Sequence, residues 1–383
     1  MDKGRVDTCK CWPLSLHYFF YFSLLGTILP YLGLYFNSLA FTPVEIGELL
    51  AVLMLTKVVA PNIWGIFSDR SGKPVFWVRV ATFGALVLSA GLILFDSYWP
   101  LLFTLLLFSF FWHSSLPQFE SYTFKRLGED KHRYGQIRLW GSLGFIVAAV
   151  SLGWLFDRFG IAILPWAMSL LLLVVWLSTY LVKEQRFTEH AEHHSQHFLA
   201  IVRRPEVLSL LIVSFLVQAS HGVYYSFFSI QMSELGISKT LISWLWALGV
   251  FAEIAVFWWM AALFRQYALR SLILIAIVLT VIRWLMTGQL DHYLYWILLA
   301  QLLHAASFGL FHASAIHLID RYFTGAHHGK GQALFAASSH GLGGAVGMLT
   351  AGYAWQAGGA PLSYALMALS ATFALVIAWR WVR

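Results

Sequence analysis

Cysteine is nearly absent from this chain. Cys9 and Cys11 are the only two in 383 residues, and they flank a single lysine near the N-terminus. Two thiols at that spacing offer neither a disulfide framework nor a zinc ligand set. Charge is scarce too: 11% of residues, against 59% hydrophobic and a mean hydropathy of +0.70. So little charge cannot clothe a water-soluble surface of this size. No GxSxG or HExxH pattern supplies a nucleophile or a catalytic metal, so a membrane-embedded enzyme is the weak different-class alternative. No glycine-rich phosphate loop is present, which argues against ATP-driven transport, and no cofactor or metal is implied.

Long apolar runs are what the sequence has in abundance. They fall near 13–37, 44–66, 75–95, 98–119, 137–156, 162–182, 206–230, 240–263, 269–289, 293–317, 332–355 and 360–381. Each is about the 20 residues that a helix needs to cross a hydrocarbon core of roughly 30 Å. The expected fold is therefore all-α, with twelve transmembrane helices in a lipid bilayer. Of the 25 Lys and Arg, only Arg158 and Lys239 fall on the side opposite the N-terminus, and Lys57 and Arg283 fall within spans. By the positive-inside rule both termini are cytoplasmic, in a bacterial inner membrane. The basic pI of 9.4 then follows from topology and implies no nucleic-acid partner.

The most polar stretch, 183–205, includes the histidine-rich His190-Ala-Glu-His-His-Ser-Gln-His197. It reads as a cytoplasmic linker dividing a six-helix bundle at 1–182 from a second at 206–383. One offset of 196 positions brings Gly26 onto Gly222, Thr42 onto Ser238, Lys57 onto Glu253, and Gly135-Gln136 onto Gly331-Gln332. A duplicated six-helix unit leaves such a trace, and two parallel repeats around a midplane solute site imply transport by alternating access.

After the second run the chain reads Gly65-Ile-Phe-Ser-Asp69-Arg70-Ser-Gly72-Lys73. Gly65 is expected to allow close helix approach, Asp69 to pair with a base or a helix N-terminus, and Arg70 with Lys73 to hold the loop inside. The segment resembles the major facilitator signature, a conformational motif. Pro117-Gln-Phe-Glu120 followed by Tyr134-Gly135-Gln-Ile-Arg138 is similar to the lactose-permease family, where a glutamate and an arginine line the sugar site. Ala252-Glu253, Val281-Ile282-Arg283 and Leu303-His304 extend that likeness over most of the chain. Leu29-Pro30-Tyr31, His221-Gly-Val-Tyr224-Tyr225 and Gln301-Leu-Leu-His304 resemble the phenylpropionate-permease branch more closely. Gln301 and Ser307 depart from the lactose-permease pattern: they replace its lysine and its proton-carrying carboxylate, so that family's proton pathway does not carry over.

An ionised side chain at the bilayer centre costs about 2.5–3.5 kcal/mol, so the charges inside the spans are functional candidates. Glu253 and Arg283, on neighbouring helices, are expected to pair. Lys57, in apolar surroundings, suits an anionic substrate. The resemblance adds Glu120 and Arg138 as a cavity pair, which requires helices four and five to run beyond their apolar limits. His304 and His312 fall on one helix face with Phe308 between them; His221 opens an aromatic group with Tyr224 and Tyr225. His340 reads as a packed donor. The expectation is a proton-coupled symporter, functional as a monomer, for a small organic solute such as a phenylpropionate-like monocarboxylate. In it Lys57, Glu120, Arg138, His221, Tyr224, Tyr225, Arg283 and His304 bind the solute, and Glu253, Glu120 or His304 carries the proton. A sugar or nucleoside symporter is the alternative, and efflux of apolar cations ranks third because the membrane layer holds cations of its own.

Overall fold

A helix satisfies its own backbone polar groups in lipid, and helices are what the apolar runs form. The computed structural model describes residues 11–186 and 198–382. Six helices come first: α1 (Trp12–Ser38), α2 (Pro43–Ser71), α3 (Pro74–Leu94), α4 (Tyr98–Leu127), α5 (Tyr134–Phe159) and α6 (Ile161–Leu181). Then follow α7 (Pro205–Glu234), α8 (Lys239–Gln266), α9 (Leu269–Gln289) and α10 (Leu294–Tyr322). The stretch His328–Trp381 is kinked at Gly358 and Gly359 into α11 (328–357) and α12 (360–381).

Among the described residues, ten continuous helical stretches are long and apolar enough to cross a bilayer. Two far exceed one crossing, at 62 residues (Tyr98–Phe159) and 54 residues (His328–Trp381), where about 20 suffice. The first breaks at the tightly wound Gly128–Arg133, which separates α4 from α5, and the second breaks at the paired glycines. Divided at these breaks, the ten stretches make twelve helices among the described residues. Both α4 and α5 run past their apolar limits, as the Glu120 and Arg138 expectation required.

The chain groups into two compact units, Met1–Leu39 with Val59–His190, and Ala40–Val58 with Ala191–Arg383. This differs from a division at the linker alone, because the first half of α2, with Lys57, joins unit two. The physical reason lies in Gly47: a Cβ there would come within 2.8 Å of the Met348 carbonyl oxygen and 2.9 Å of the Gly352 Cα, so α2 and α11 touch backbone to backbone. Tyr353 donates to Glu48 Oε1 at 3.2 Å along the same contact. The histidine-rich segment and Cys9 lie outside the described residues; Cys11 is a buried free thiol.

Two of the position pairs matched in sequence have similar local structure, whereas Gly135 and Gly331 differ: no atom lies within 4 Å of a Cβ on Gly135, and one on Gly331 would lie 2.4 Å from the Phe323 ring. Thr42 and Glu45 form a reciprocal cap on α2, with Thr42 N and Oγ1 both 2.8 Å from Glu45 Oε2. Ser238 caps α8 by accepting from Leu241 N at 3.2 Å. In unit one a Cβ on Gly26 would lie 2.4 Å from the Phe145 carbonyl oxygen, and in unit two a Cβ on Gly222 would lie 2.1 Å from the Gly347 carbonyl carbon. Small residues let helices in lipid approach at these crossings. Gly26→Val and Gly222→Val are each expected to cost about 1–3 kcal/mol through overpacking. A melting temperature in detergent several degrees below wild type is the expected reading, and an unchanged one would show that the crossings relax freely.

Candidate functional site

Unit one brings Glu120 and Arg138 together. Arg138 Nε lies 3.7 Å from Glu120 Oε1, with each side chain about one-third exposed, and Tyr134 donates to the same oxygen at 3.1 Å. The guanidinium also stands 3.7 Å above the Phe22 ring, and Tyr134 stacks on Phe124 at 4.2 Å. A planar guanidinium held between a carboxylate and a ring face is fixed in orientation. Neutralising Arg138 alone (Arg138→Gln) is expected to lower transport by roughly tenfold or more, because Glu120 is left without its counter-ion. If Glu120→Gln combined with Arg138→Gln restored uptake in vesicles, the pair would be purely structural.

The loop motif lies elsewhere in unit one. Gly72 adopts φ +63, a left-handed turn that suits glycine, and Lys73 leads into Pro74. Gly65 does not serve a close helix contact as expected: no atom comes within 4 Å of where its Cβ would stand. It lines a polar cavity of about 160 Å³ shared with Asp69, Gly72, Gln118 and Lys125, so its missing side chain leaves space. Asp69 and Arg70 are exposed at the end of α2.

Unit two holds the denser constellation, centred on Arg283. Its side chain is wholly buried at 0% exposure. Nε donates to the Ala300 carbonyl at 2.9 Å and Nη1 to Ser307 Oγ at 2.9 Å, while the rings of Tyr224 and Trp284 stand 4.3 and 4.6 Å away. Nη2 has no hydrogen-bond partner. All these partners are neutral. Tyr224 donates to Gln301 Oε1 at 2.7 Å, and the buried Gln301 Nε2, His304 Nδ1, His221 Nε2 and Tyr364 hydroxyl are also unpartnered. Buried polar atoms are ordinarily satisfied, and five that are not gather here around Arg283.

Glu253, expected to neutralise Arg283, stands instead against His304, with 3.7 Å between Oε2 and Nε2. α8 and α10 touch there, since a Cβ on Gly309 would lie 3.1 Å from Glu253 Cγ. His221 bonds the Val217 carbonyl through Nδ1 at 2.8 Å and meets Trp284 edge to face at 4.8 Å; Tyr225 stacks on His221 at 5.9 Å. The face shared by His304 and His312 is a true stack. Phe308 lies parallel to both rings, 5.5 Å from His304 and 5.6 Å from His312. Ala305–Leu310 in α10 and Ala337–Gly343 in α11 are wound as π-helix, a wide turn that is frequent at functional sites. His340, in the second of these, is half-buried, with its ring 5.2 Å from that of His312.

Sequence reasoning passed over several members of this group. Trp284, Tyr364 and Phe335 were not singled out, and it is their contacts with Arg283, Trp284 and His340 that mark them. Gln301 and Ser307, noted only as departures, are the residues that hold Tyr224 and Arg283.

A family model described as the MFS_1 like family matches residues 11–366. The chain is 27% identical over 379 residues to the "Probable 3-phenylpropionic acid transporter" of Escherichia coli (strain K12), with 94% of this chain and 96% of that protein covered. It is 27% identical over 372 residues to the maltose permease of Geobacillus stearothermophilus, covering 94% and 93%. Among solved structures it is similar to nucleoside transporter NupG, with a TM-score of 0.83, 17% identity, and 97% and 98% of the two chains covered.

Proposed function

The chain belongs to the MFS_1 like family of membrane transporters, and from that premise we propose that it imports a small aromatic monocarboxylate together with protons by alternating access. The observation that carries this reading is the Arg283 guanidinium, wholly buried among neutral partners with Nη2 unfilled. A cation so placed needs an anion. A carboxylate matches the guanidinium fork, and the rings of Tyr224, Trp284 and Phe308 suit an aromatic body. His221 and Tyr225, stacked on one another, belong to the same aromatic group, and Glu253, with His304 against it, is the proton carrier. In this reading both termini are cytoplasmic in a bacterial inner membrane, and one chain is sufficient for transport.

The E. coli relative supports an aromatic acid. The maltose permease and NupG favour a second reading, a proton-coupled sugar or nucleoside symporter. Thermal-shift and competition binding with an arylpropionate, a disaccharide and a nucleoside at two pH values separates them. Stabilisation by the acid alone, stronger at the lower pH, is the expected result; stabilisation by sugar or nucleoside with none by the acid would replace this reading.

A further inference from the structure

The start of α1 and the ends of α4 and α6 enclose a cavity of about 350 Å³ in unit one, lined in part by Trp12, Tyr122, Arg126, Leu181 and Lys183. Its size is that of clefts that hold small ligands, roughly 300–1,000 Å³. Short-range contacts fix its wall. The buried Tyr122 of α4 donates its hydroxyl to the Lys183 carbonyl at 2.6 Å, which ties the chain leaving α6 to α4. Arg79 of α3 donates through Nη2 to the Thr179 and Val182 carbonyls at 3.2 and 3.1 Å, and its guanidinium stands 4.8 Å from the centre of the Tyr180 ring. Carbonyls at the end of α6 are satisfied in this way, and Lys183 is held at the rim.

Two cations and no carboxylate line this cavity. Arg126 Nη1 donates to Gln185 Oε1 at 2.9 Å, a neutral partner, and neither Arg126 nor Lys183 forms an ion pair among the described residues. The acid next to Lys183 in sequence is committed elsewhere: Glu184 accepts from Val75 N at 3.2 Å and from Phe76 N at 2.6 Å, at the start of α3. In unit two the corresponding helices, α7, α10 and α12, leave a cavity of about 400 Å³ at Pro205, Glu206, Arg321, Tyr322 and Trp381. One acid stands there with one base, so only the unit-one cavity is left with a net positive lining.

The surroundings of that cavity suit a membrane lipid. Trp12 is 53% and Tyr180 57% exposed, and such amphipathic rings sit at headgroup depth. Running back along α6 from the cavity, Leu181, Leu177 and Leu173 are exposed at four-residue spacing, so they share one face. We propose that the cavity binds the phosphodiester headgroup of an anionic phospholipid, with Arg126 and Lys183 on the phosphate oxygens, Trp12 at the glycerol level and an acyl chain along that leucine face. Basic pockets between membrane helices recognise such headgroups through charge-assisted hydrogen bonds. Free phosphate shares the charge and lacks the chain, so the leucine face favours the lipid. One ligand held by Arg126 of α4 and by Lys183 after α6 joins the ends of two helices, whichever solute the chain carries.

The test is native mass spectrometry of the full chain in neutral detergent, with equal amounts of phosphatidylglycerol and phosphatidylcholine of matched acyl chains. Each basic side chain contributes about fivefold toward an anionic lipid, so wild type is expected to retain phosphatidylglycerol over phosphatidylcholine by roughly 25-fold. Arg126→Gln with Lys183→Gln lowers that ratio by about tenfold or more, whereas Lys131→Gln with Arg133→Gln, which removes the same charge between α4 and α5, changes it by less than about threefold. The swap Arg126→Lys with Lys183→Arg keeps both charges and keeps the ratio. A ratio near one in wild type, equal losses in the two glutamine pairs, or loss of the ratio in the swap overturns the proposal. Glycerol phosphate in large excess leaves the phosphatidylglycerol bound; displacement by it would show that the cavity reads free phosphate and would overturn the lipid as its occupant.

Discussion

Arg283→Gln is expected to weaken binding of the carboxylate substrate by roughly 10- to 100-fold, the equivalent of one charge-assisted hydrogen-bonded contact. Two of the guanidinium's nitrogens are spent on Ala300 and Ser307, which orient it, and the ring faces of Tyr224 and Trp284 hold its plane. The third nitrogen has no hydrogen-bond partner. Glutamine keeps a donor and loses the charge, so affinity falls while shape is largely retained. Arg283→Lys keeps the charge and loses the planar fork, so it recovers affinity only in part. Stability separates this role from a structural one. An ion buried without a counter-ion is a burden on the empty protein, so Arg283→Gln leaves the substrate-free melting temperature unchanged or raises it. Calorimetric binding with a melting curve on each variant checks both signs. Full affinity in Arg283→Gln, or a collapse of stability without substrate, would place the anion elsewhere.

The second large effect is expected at Glu253. Glu253→Gln removes the carboxylate that faces His304 at 3.7 Å and replaces it with a group that carries no proton. Accumulation driven by a pH gradient is expected to fall by about tenfold or more, since one titrating group that interacts strongly in one state and not in another is worth that much. Exchange of labelled for unlabelled solute, which needs no net proton movement, continues in the same vesicles. This split between accumulation and exchange distinguishes a coupling residue from one that merely packs. If Glu253→Gln still accumulates solute, the proton travels with Glu120 or His304 instead.

Much of the architecture was readable because its signals are local. Thr42 and Ser238, matched by the repeat offset, both cap helix starts through short-range hydroxyl chemistry. Gly26 and Gly222 mark crossings because backbone contact leaves no room for a side chain. The stack of His304, Phe308 and His312 follows from residues spaced four apart, and even the π turn through Ala305–Leu310 leaves it intact.

The remainder was hidden because it depends on which faces meet. Depth along a helix identifies Glu253 and Arg283 as members of one layer, but their partners are set by helix rotation. That rotation is altered by wide turns no hydropathy pattern reveals, and Glu253 meets His304 while Arg283 meets Ser307. The allegiance of Lys57 was likewise invisible. It depends on Gly47, Gly341 and Gly352, distant in sequence from one another or from α2, which draw half a helix onto α11. Gly65 shows the converse error: a glycine in a signature segment suggested close packing and instead borders open space.

The most direct measurement follows the pH of the medium around proteoliposomes loaded with buffer alone. On adding an arylpropionate, the account predicts prompt alkalinisation outside with wild type, little with Glu253→Gln, and little with Arg283→Gln below saturating solute. Labelled acid that enters while the external pH stays flat in wild type would contradict it.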